Sequence, residues 1–254
     1  MPLSSARDNR CKWADRVLRF RYHLALFSLT ATAGLAANAP GDPGVPPSST
    51  SALEISEPLF RSVESFWVQQ IAALGGRYRT TQITWFSAPL SEVCGIHAKV
   101  VGPFYCPGDE SVYLDREFLQ SLLQRGRKDG NLAIGYVIAH EVAHHIQNVI
   151  GTTAMVIQAR SRSTPEMANR ILLTLELQAD CYAGLWARWA AANGTNEALV
   201  TAASTGHAHQ LHLVAGEEML DPLTHGSAEQ RLKWFRRGFD SGRFDDCDTF
   251  SAGI

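Results

Sequence analysis

His140 and His144 are four residues apart, and Glu141 directly follows the first of them. On an α-helix, side chains four residues apart lie on the same face, so these two imidazoles can bind one metal ion. Glu141 then lies beside the metal, where its carboxylate can take a proton from a zinc-bound water as general base. The spacing therefore predicts zinc-dependent hydrolysis, with His140 and His144 as ligands and Glu141 as a catalytic residue.

The sequence around this motif favours a buried helix. Gly151 stands where a helix would end, and apolar side chains recur before it at roughly helical spacing: Leu132, Val137, Ile138, Val142, Ile146 and Val149. Unpartnered imidazoles and a carboxylate on such a helix would carry a desolvation cost, which a bound metal and its supporting contacts remove. A chance match without a metal is the competing interpretation.

A third ligand is needed, because a catalytic zinc ion usually has three protein ligands and one open position. Glu176 is the best candidate, since it lies in a second helical segment that Thr164 and Pro165 begin. Asp180, four residues further on, shares its side and can accept a hydrogen bond from a ligand histidine. Two acids on a solvated helix face are the alternative interpretation.

His225 precedes a further helix start, in which Ser227 and Gln230 form a capping-box pattern. A histidine held at this position could donate a hydrogen bond to the oxyanion that forms when water attacks a peptide carbonyl. A loop histidine without a catalytic role is the alternative.

Four other histidines are assigned no ligand role. His145 points about 100° away from His144 on a helix, which favours packing or support of the metal ligands from the second coordination sphere. His207, His209 and His212 lie in a polar segment flanked by glycines and are interpreted as surface or loop residues.

The composition is that of an ordinary globular protein, with 254 residues, of which 45% are hydrophobic and 19% charged. The formal net charge is −2, and because residues 1–39 alone contribute +4, the remainder carries −6. This balance lacks the basic footprint of a nucleic-acid-binding protein. The sequence therefore argues against nucleic-acid partners.

Residues 1–39 have the features of an export signal: a basic region, an apolar run and a small-residue cleavage pattern at Ala37 and Ala39. An uncleaved N-terminal anchor that associates with the membrane is the alternative, although the run is short for a bilayer crossing. Residues 40–51, rich in Pro, Gly and Ser, are predicted to be a flexible linker. One domain is predicted over residues 52–254, outside the cytoplasm and either periplasmic or secreted.

Cys94, Cys106, Cys181 and Cys247 would remain after cleavage, and an oxidising compartment favours two disulfides among them. Of the three connectivities, Cys94 with Cys106 is favoured because the two are close in sequence around a turn rich in Gly and Pro. That choice leaves Cys181 with Cys247. Free buried thiols in a reduced protein are the alternative.

The remaining patterns predict a mostly helical α+β fold with a small β section. Residues 59–74 have the apolar spacing of a helix, with Pro58 near its first turn. Residues 80–86 and 111–114 have the β-branched and aromatic content of strands.

Two short regions complete the pattern between these elements and the second helical segment. Asp115 can cap a helix that runs through Gln124. Residues 151–163 show no clear pattern, and Met155 and Met167 are interpreted as packing residues.

Several long blocks are similar to the putative neutral zinc metallopeptidase family. They lie within residues 93–250 and comprise 102–107, 139–147, 175–184, 224–231 and 247–250. The resemblance implies a zincin-like metallopeptidase core that binds one zinc ion per chain. It also implies His140, His144 and Glu176 as ligands and Glu141 as the base.

The Glu-x-x-x-Asp and Thr-His-Gly elements also resemble membrane-associated gluzincins that cut prenylated or misfolded proteins. This resemblance implies accessory roles in the site for Asp180, His225 and Arg231. Two departures stand out: Ala143 replaces a Gly often found between the two histidines, and residues 206–210 replace a stretch that is commonly acidic.

The sequence thus predicts an exported metalloendopeptidase-like enzyme that acts on a peptide or protein substrate. A zinc amidase acting on cell-wall peptides is one alternative, because the motif fixes the chemistry of attack and not the shape of the cleft. A non-catalytic module with a structural zinc is the other, although such sites usually have a fourth Cys or His ligand.

Overall fold

The computed structural model describes residues 51–91, 93–95, 100, 102–125, 130–193 and 225–252. The predicted export signal, nearly all of the linker, and His207, His209 and His212 lie outside these residues. No helix within the described ranges combines the length and apolar character needed to cross a membrane.

Six helices and three strands make up the described parts of the chain. The helices are α1 (Ala52–Ala73), α2 (Arg116–Arg125), α3 (Gly130–Val149), α4 (Thr152–Arg160), α5 (Pro165–Ala192) and α6 (Ala228–Ser241). The strands are β1 (Gln82–Phe86), β2 (Phe104–Cys106) and β3 (Ser111–Asp115), and a 3-10 turn covers Phe244–Cys247. The predicted mostly helical α+β fold is confirmed.

Helix α1 begins earlier than the predicted start at residue 59. The Ser51 hydroxyl accepts a hydrogen bond from the backbone N–H of Glu54, whose carboxylate accepts one from the backbone N–H of Ser51. This capping box satisfies two backbone donors and fixes the helix start. Pro58 consequently lies in the helix interior and not in its first turn, where it removes one backbone hydrogen bond.

The small sheet has the strand order β1-β3-β2, with β3 parallel to β1 and antiparallel to β2. Val112 and Leu114 on β3 are fully buried against the helices. Strand β2, which the sequence did not predict, is three residues long and is defined by its pairing with β3. Asp115 accepts hydrogen bonds from the backbone N–H groups of Glu117 and Phe118, so the predicted cap of α2 is confirmed.

Helix α4 fills part of the region between residues 151 and 163 that showed no pattern. It begins after Gly151, which has a φ of 86°. Met155 on α4 and Met167 on α5 are both 48% exposed, so their interpretation as packing residues is wrong. The reason is that only Thr152 and Val156 are buried on α4, and that Met167 lies in the exposed first turn of α5.

Helices α5 and α6 pack with their backbones in close approach at Gly184 and Gly238. A Cβ atom at Gly184 would collide with the carbonyl oxygen of Phe235, and one at Gly238 would collide with that of Cys181. Glycine is therefore required at both positions, and the close packing brings the first turn of α6 to the middle of α5.

The cysteines pair at disulfide distance as predicted. Cys94 and Cys106 have Cα atoms 5.6 Å apart, as do Cys181 and Cys247. Such pairs are typical of proteins in oxidising compartments. The second pair connects the C-terminal 3-10 turn to the centre of α5.

Candidate metal centre

The three predicted ligands converge on one point between α3 and α5. The Nε2 atoms of His140 and His144 are 3.2 Å apart, and Oε2 of Glu176 lies 3.2 Å from the first and 3.5 Å from the second. Within the described residues, these side chains form the one group of at least three His, Cys, Asp or Glu residues able to hold a metal ion.

The spacing of these atoms fits a tetrahedral zinc ion. Ligand atoms at zinc distances of about 2.0–2.1 Å in tetrahedral geometry are about 3.3–3.4 Å apart. The three observed separations of 3.2, 3.2 and 3.5 Å bracket that value. The arrangement therefore supplies one triangular face of a zinc coordination sphere.

His140 is oriented by Asp180, whose Oδ1 lies 2.9 Å from its Nδ1. Because a carboxylate accepts, Nδ1 of His140 carries the proton and Nε2 presents its lone pair to the metal position. Arg231 donates to Asp180 from Nε at 3.0 Å and from Nη2 at 3.1 Å, and the Tyr136 hydroxyl donates to the same carboxylate at 2.5 Å. The Tyr136 hydroxyl oxygen in turn accepts a hydrogen bond from Nη2 of Arg231 at 2.7 Å, so Tyr136, Arg231 and Asp180 are all bonded to one another.

Electrostatics keep Asp180 ionised although it is fully buried. Burial would raise the pKa of its carboxyl, but the Arg231 guanidinium and His140 hold that pKa well below its usual range. Burial likewise disfavours a charged His140, but Asp180 and Glu176 outweigh it and raise the pKa of His140 to about 10. The centre therefore attracts positive charge, so a metal ion competes there with a proton.

His144 is oriented by a neutral amide. Its Nδ1 lies 2.8 Å from Oε1 of Gln147, three residues further along α3. The Gln147 side chain is fully buried, and its amide nitrogen donates to the backbone carbonyl of Leu175 at 2.7 Å and to Oε1 of Gln178 at 3.1 Å. Each ligand histidine therefore has a fixed acceptor for Nδ1–H, which directs its Nε2 toward the metal position.

A cavity of about 270 Å³ opens beside the three ligands. Glu141 is 9% exposed and lines this cavity together with His225 and Arg231. Nε2 of His225 lies 3.8 Å from Oε2 of Glu176, and burial lowers the pKa of His225. The three-residue group that could hold a metal ion does not include His225, which lines the same cavity.

His145 belongs to a separate buried network, as its position on the helix predicted. Its Nε2 donates to the backbone carbonyl of Arg79 at 2.6 Å, so Nδ1 accepts from the Tyr105 hydroxyl at 3.0 Å. Burial lowers the pKa of His145, in keeping with this neutral form. His145 thus connects α3 to β2 and to the chain before β1.

Three residues that orient the ligands were not predicted from the sequence: Tyr136, Gln147 and Gln178. Two of them carry a signal that could have found them, because Tyr136 is four residues before His140 and Gln147 is three residues after His144. Both spacings place a polar side chain on the ligand face of α3. Gln178 gives no such signal, since its contacts to α3 and to Cys247 exist only in the folded chain.

Known proteins resemble this chain over most of its length. The family model described as putative neutral zinc metallopeptidase matches residues 31–250. The Escherichia coli K12 protein called uncharacterized protein YpfJ is 35% identical over 216 residues, which cover 83% of this chain and 75% of that protein. The Mycobacterium tuberculosis H37Rv protein called uncharacterized protein Rv2575 is 35% identical over 208 residues, which cover 75% of this chain and 68% of that protein.

No solved structure matches the chain. The family match extends over the ligand-bearing helices, the cavity and both cysteine pairs, and the His140, His144 and Glu176 group fits the zinc that the family's description implies. The chain therefore belongs to the putative neutral zinc metallopeptidase family.

Proposed function

We propose that this protein is an exported zinc metallopeptidase that hydrolyses peptide bonds, with Glu141 as general base. The observation that carries the proposal is the triangle of His140, His144 and Glu176, which faces a cavity lined by Glu141. Three protein ligands and an adjacent open cavity are typical of catalytic zinc sites, whereas structural sites are closed by a fourth ligand.

Zinc held by these residues would act as a Lewis acid and lower the pKa of a water molecule from 15.7 toward about 7. The Glu141 carboxylate accepts the proton as the water oxygen bonds to the scissile carbonyl carbon. It then delivers that proton to the amide nitrogen, so that the C–N bond breaks and a neutral amine leaves. His225 donates an N–H to the developing oxyanion, which is a role that a neutral imidazole can fill.

The apolar part of the cavity lining indicates the kind of substrate. It is formed by Pro103, Phe104, Pro107, Phe118, Val137 and Leu175. One of these side chains, Phe104, is stacked flat on Tyr113, with ring centroids 4.6 Å apart, and this contact restrains its ring. We therefore expect the cleaved bond to have an apolar side chain next to it, with a charged residue at that position disfavoured by desolvation.

Export is supported by the two cysteine pairs at disulfide distance and by the signal-like residues 1–39. Whether residues 1–39 are cleaved decides between a periplasmic or secreted protein and one that is anchored to the membrane. N-terminal sequencing of the protein recovered from cells distinguishes the two, and recovery from the cytoplasm with reduced cysteines would overturn the export proposal.

The test of the enzymatic proposal is cleavage of a peptide library by the disulfide-bonded protein, loaded with zinc or stripped by a chelator. We expect one zinc per chain, cleavage next to apolar residues, and loss of cleavage on chelation that zinc restores. A stable protein that holds zinc but cleaves no peptide would favour a binding module. Cleavage restricted to cell-wall peptides would favour the amidase alternative.

A further inference from the structure

We infer that Gln147 is the positioning residue for the metal ligand His144, and that Gln178 and the Cys181–Cys247 disulfide hold Gln147 in place. The inference rests on the proposed metal centre. It assigns a role to three features outside the ligand set that lie between the C-terminal 3-10 turn and the metal position. We call them the amide relay.

The orientation of the Gln147 amide follows from its neighbours. The backbone carbonyl of Leu175 can only accept, so the group 2.7 Å from it must be the amide nitrogen of Gln147. The amide oxygen therefore faces Nδ1 of His144 at 2.8 Å, and that nitrogen must carry the proton. The relay thus selects the tautomer of His144 whose Nε2 lone pair is available to a metal ion.

The same amide also fixes the distance between the two ligand-bearing helices. Leu175 directly precedes the ligand Glu176 on α5, while His144 and Gln147 are on α3. The buried Gln147 side chain is therefore hydrogen-bonded to the ligand His144 on α3 and, on α5, to Leu175, the residue next to the ligand Glu176. A shift of α5 relative to α3 would break the hydrogen bond to Leu175 and alter the spacing between His144 and Glu176.

Gln178 extends the relay to the disulfide. Its Oε1 accepts from Nε2 of Gln147 at 3.1 Å, and its own amide nitrogen donates to the backbone carbonyl of Cys247 at 3.1 Å. Gln178 is 4% exposed and Cys247 is 1% exposed, so water does not readily replace these partners. The pairing of Cys247 with Cys181 on α5 keeps that carbonyl in position.

The first experiment measures zinc affinity of the full-length, disulfide-bonded protein by competition with a chromophoric chelator. Loss of an orienting partner typically lowers metal affinity by about 10–100-fold, and we expect this for Gln147→Leu. Gln178→Leu should cause a smaller loss, because His144 keeps its direct acceptor. The double variant should bind zinc as Gln147→Leu does, within about twofold, since Gln178 acts through Gln147.

Thr249→Val is the matched control. Thr249 is fully buried in the same C-terminal segment, and its hydroxyl donates to the carbonyl of Thr174 at 2.6 Å. Its backbone N–H donates to the carbonyl of Cys247 at 3.0 Å, and the substitution keeps that hydrogen bond while removing only the hydroxyl. This variant loses a buried hydrogen bond, so it reports general loosening of the segment. We expect its zinc affinity to be unchanged.

The two disulfides provide a second matched pair. Replacing Cys181 and Cys247 by Ser should lower zinc affinity several-fold, whereas the same change at Cys94 and Cys106 should leave it unchanged. The Cys94–Cys106 disulfide joins β2 to the preceding loop and supplies no group to His144. Equal effects of the two changes would overturn the link between the disulfide and the metal ligand.

Nitrogen NMR of the histidine rings separates positioning from general stability. In the zinc-loaded wild-type protein, Nδ1 of His144 should be protonated and hydrogen-bonded, and its signal should move in Gln147→Leu but not in Thr249→Val. If wild type binds no zinc, the proposed metal centre itself fails. If wild type binds zinc, and both glutamine variants keep the wild-type zinc affinity and the wild-type His144 signal, the amide relay is wrong. If Gln147→Leu does not fold, the zinc affinity and His144 signal of Gln178→Leu alone decide whether the relay is correct.

Discussion

Asp180 and Glu64 are two buried carboxylates in the same helical core with opposite surroundings. Asp180 is fully buried and accepts hydrogen bonds from Arg231, His140 and Tyr136. Glu64 on α1 is 8% exposed and accepts from the Tyr78 hydroxyl at 2.6 Å, but its Oε2 has no hydrogen-bond partner among the described residues.

The difference shows what a buried cation contributes. Burial raises the pKa of Glu64 to about 7, since the hydrogen bonds from Tyr78 and the backbone of Thr81 offset only part of the desolvation. At Asp180 the Arg231 guanidinium reverses that effect and holds the pKa well below its usual range. Asp180 thus stays an anion able to orient a metal ligand because the Arg231 guanidinium accompanies it, whereas no such cation accompanies Glu64 among its described hydrogen-bond partners.

The largest expected effect is at Asp180. Asp180→Leu leaves the Arg231 guanidinium buried without its counter-charge, which should cost about 3–5 kcal/mol in the free energy of unfolding. The same change removes the acceptor for Nδ1 of His140, so zinc affinity should fall by about 10–100-fold. Denaturant unfolding and chelator competition measure the two quantities.

Adding Arg231→Met to Asp180→Leu separates these effects. Replacing both members of a buried ion pair by apolar residues is often neutral for stability, so the double variant should regain most of the lost free energy of unfolding. Its zinc affinity should stay low, because His140 still lacks its acceptor. Recovery of zinc affinity together with stability would show that Asp180 acts on the metal only through the fold.

The next effect is a pH dependence at Glu64. Below about pH 4.5 its carboxyl is protonated in the folded and unfolded chains, so its contribution does not change there. As the pH rises to about 7 the unfolded chain releases the proton first, and the free energy of unfolding falls by up to about 3 kcal/mol. Above pH 7 the contribution is constant again.

Glu64→Gln isolates this contribution. The amide keeps the acceptor for Tyr78 and cannot ionise, so the variant should be more stable than wild type at pH 8 and nearly equal to it at pH 4.5. Both proteins have the same metal centre, so the effect of its protonation on the free energy of unfolding cancels when the two values are subtracted. A stability difference that does not vary with pH would mean that Glu64 is ionised in the folded protein.

The smallest effect is expected at an exposed ion pair. Arg79 and Glu110 are only 2.5 Å apart, closer than Arg231 and Asp180, but their side chains are 66% and 36% exposed. Solvent screening should limit the cost of Glu110→Gln to less than about 1 kcal/mol. A loss comparable to that of Asp180→Leu would contradict the view that burial, and not distance, decides the value of these pairs.

The sequence predicted the centre well where local helical spacing decides geometry. The centre is built from two pairs of residues with a spacing of four, His140 with His144 and Glu176 with Asp180. The structure brings the two pairs together as expected. Family resemblance added Arg231, whose contact with Asp180 depends on the packing of α5 against α6. The catalytic roles of Glu141 and His225 stay predictions, although both residues line the cavity.

Features that depend on long-range packing could not be predicted in the same way. Strand β2 exists through its pairing with β3, and the burial of Glu64 follows from the docking of α1. The predicted start of α1 near residue 59 is too late, because the capping box of Ser51 and Glu54, and not Pro58, sets the start of the helix. Here the sequence carries two local start signals, and the capping box is the stronger one.

The most direct test of the central claim is the rate of peptide cleavage by Glu141→Gln compared with wild type at equal zinc content. The substitution preserves size and leaves His140, His144 and Glu176 unchanged, so zinc should bind as before. With no carboxylate to accept the proton of the attacking water, we expect cleavage to fall by at least about 100-fold, in line with the usual contribution of general base catalysis. Undiminished cleavage by the zinc-loaded variant would contradict the assignment of Glu141 and the mechanism built on it.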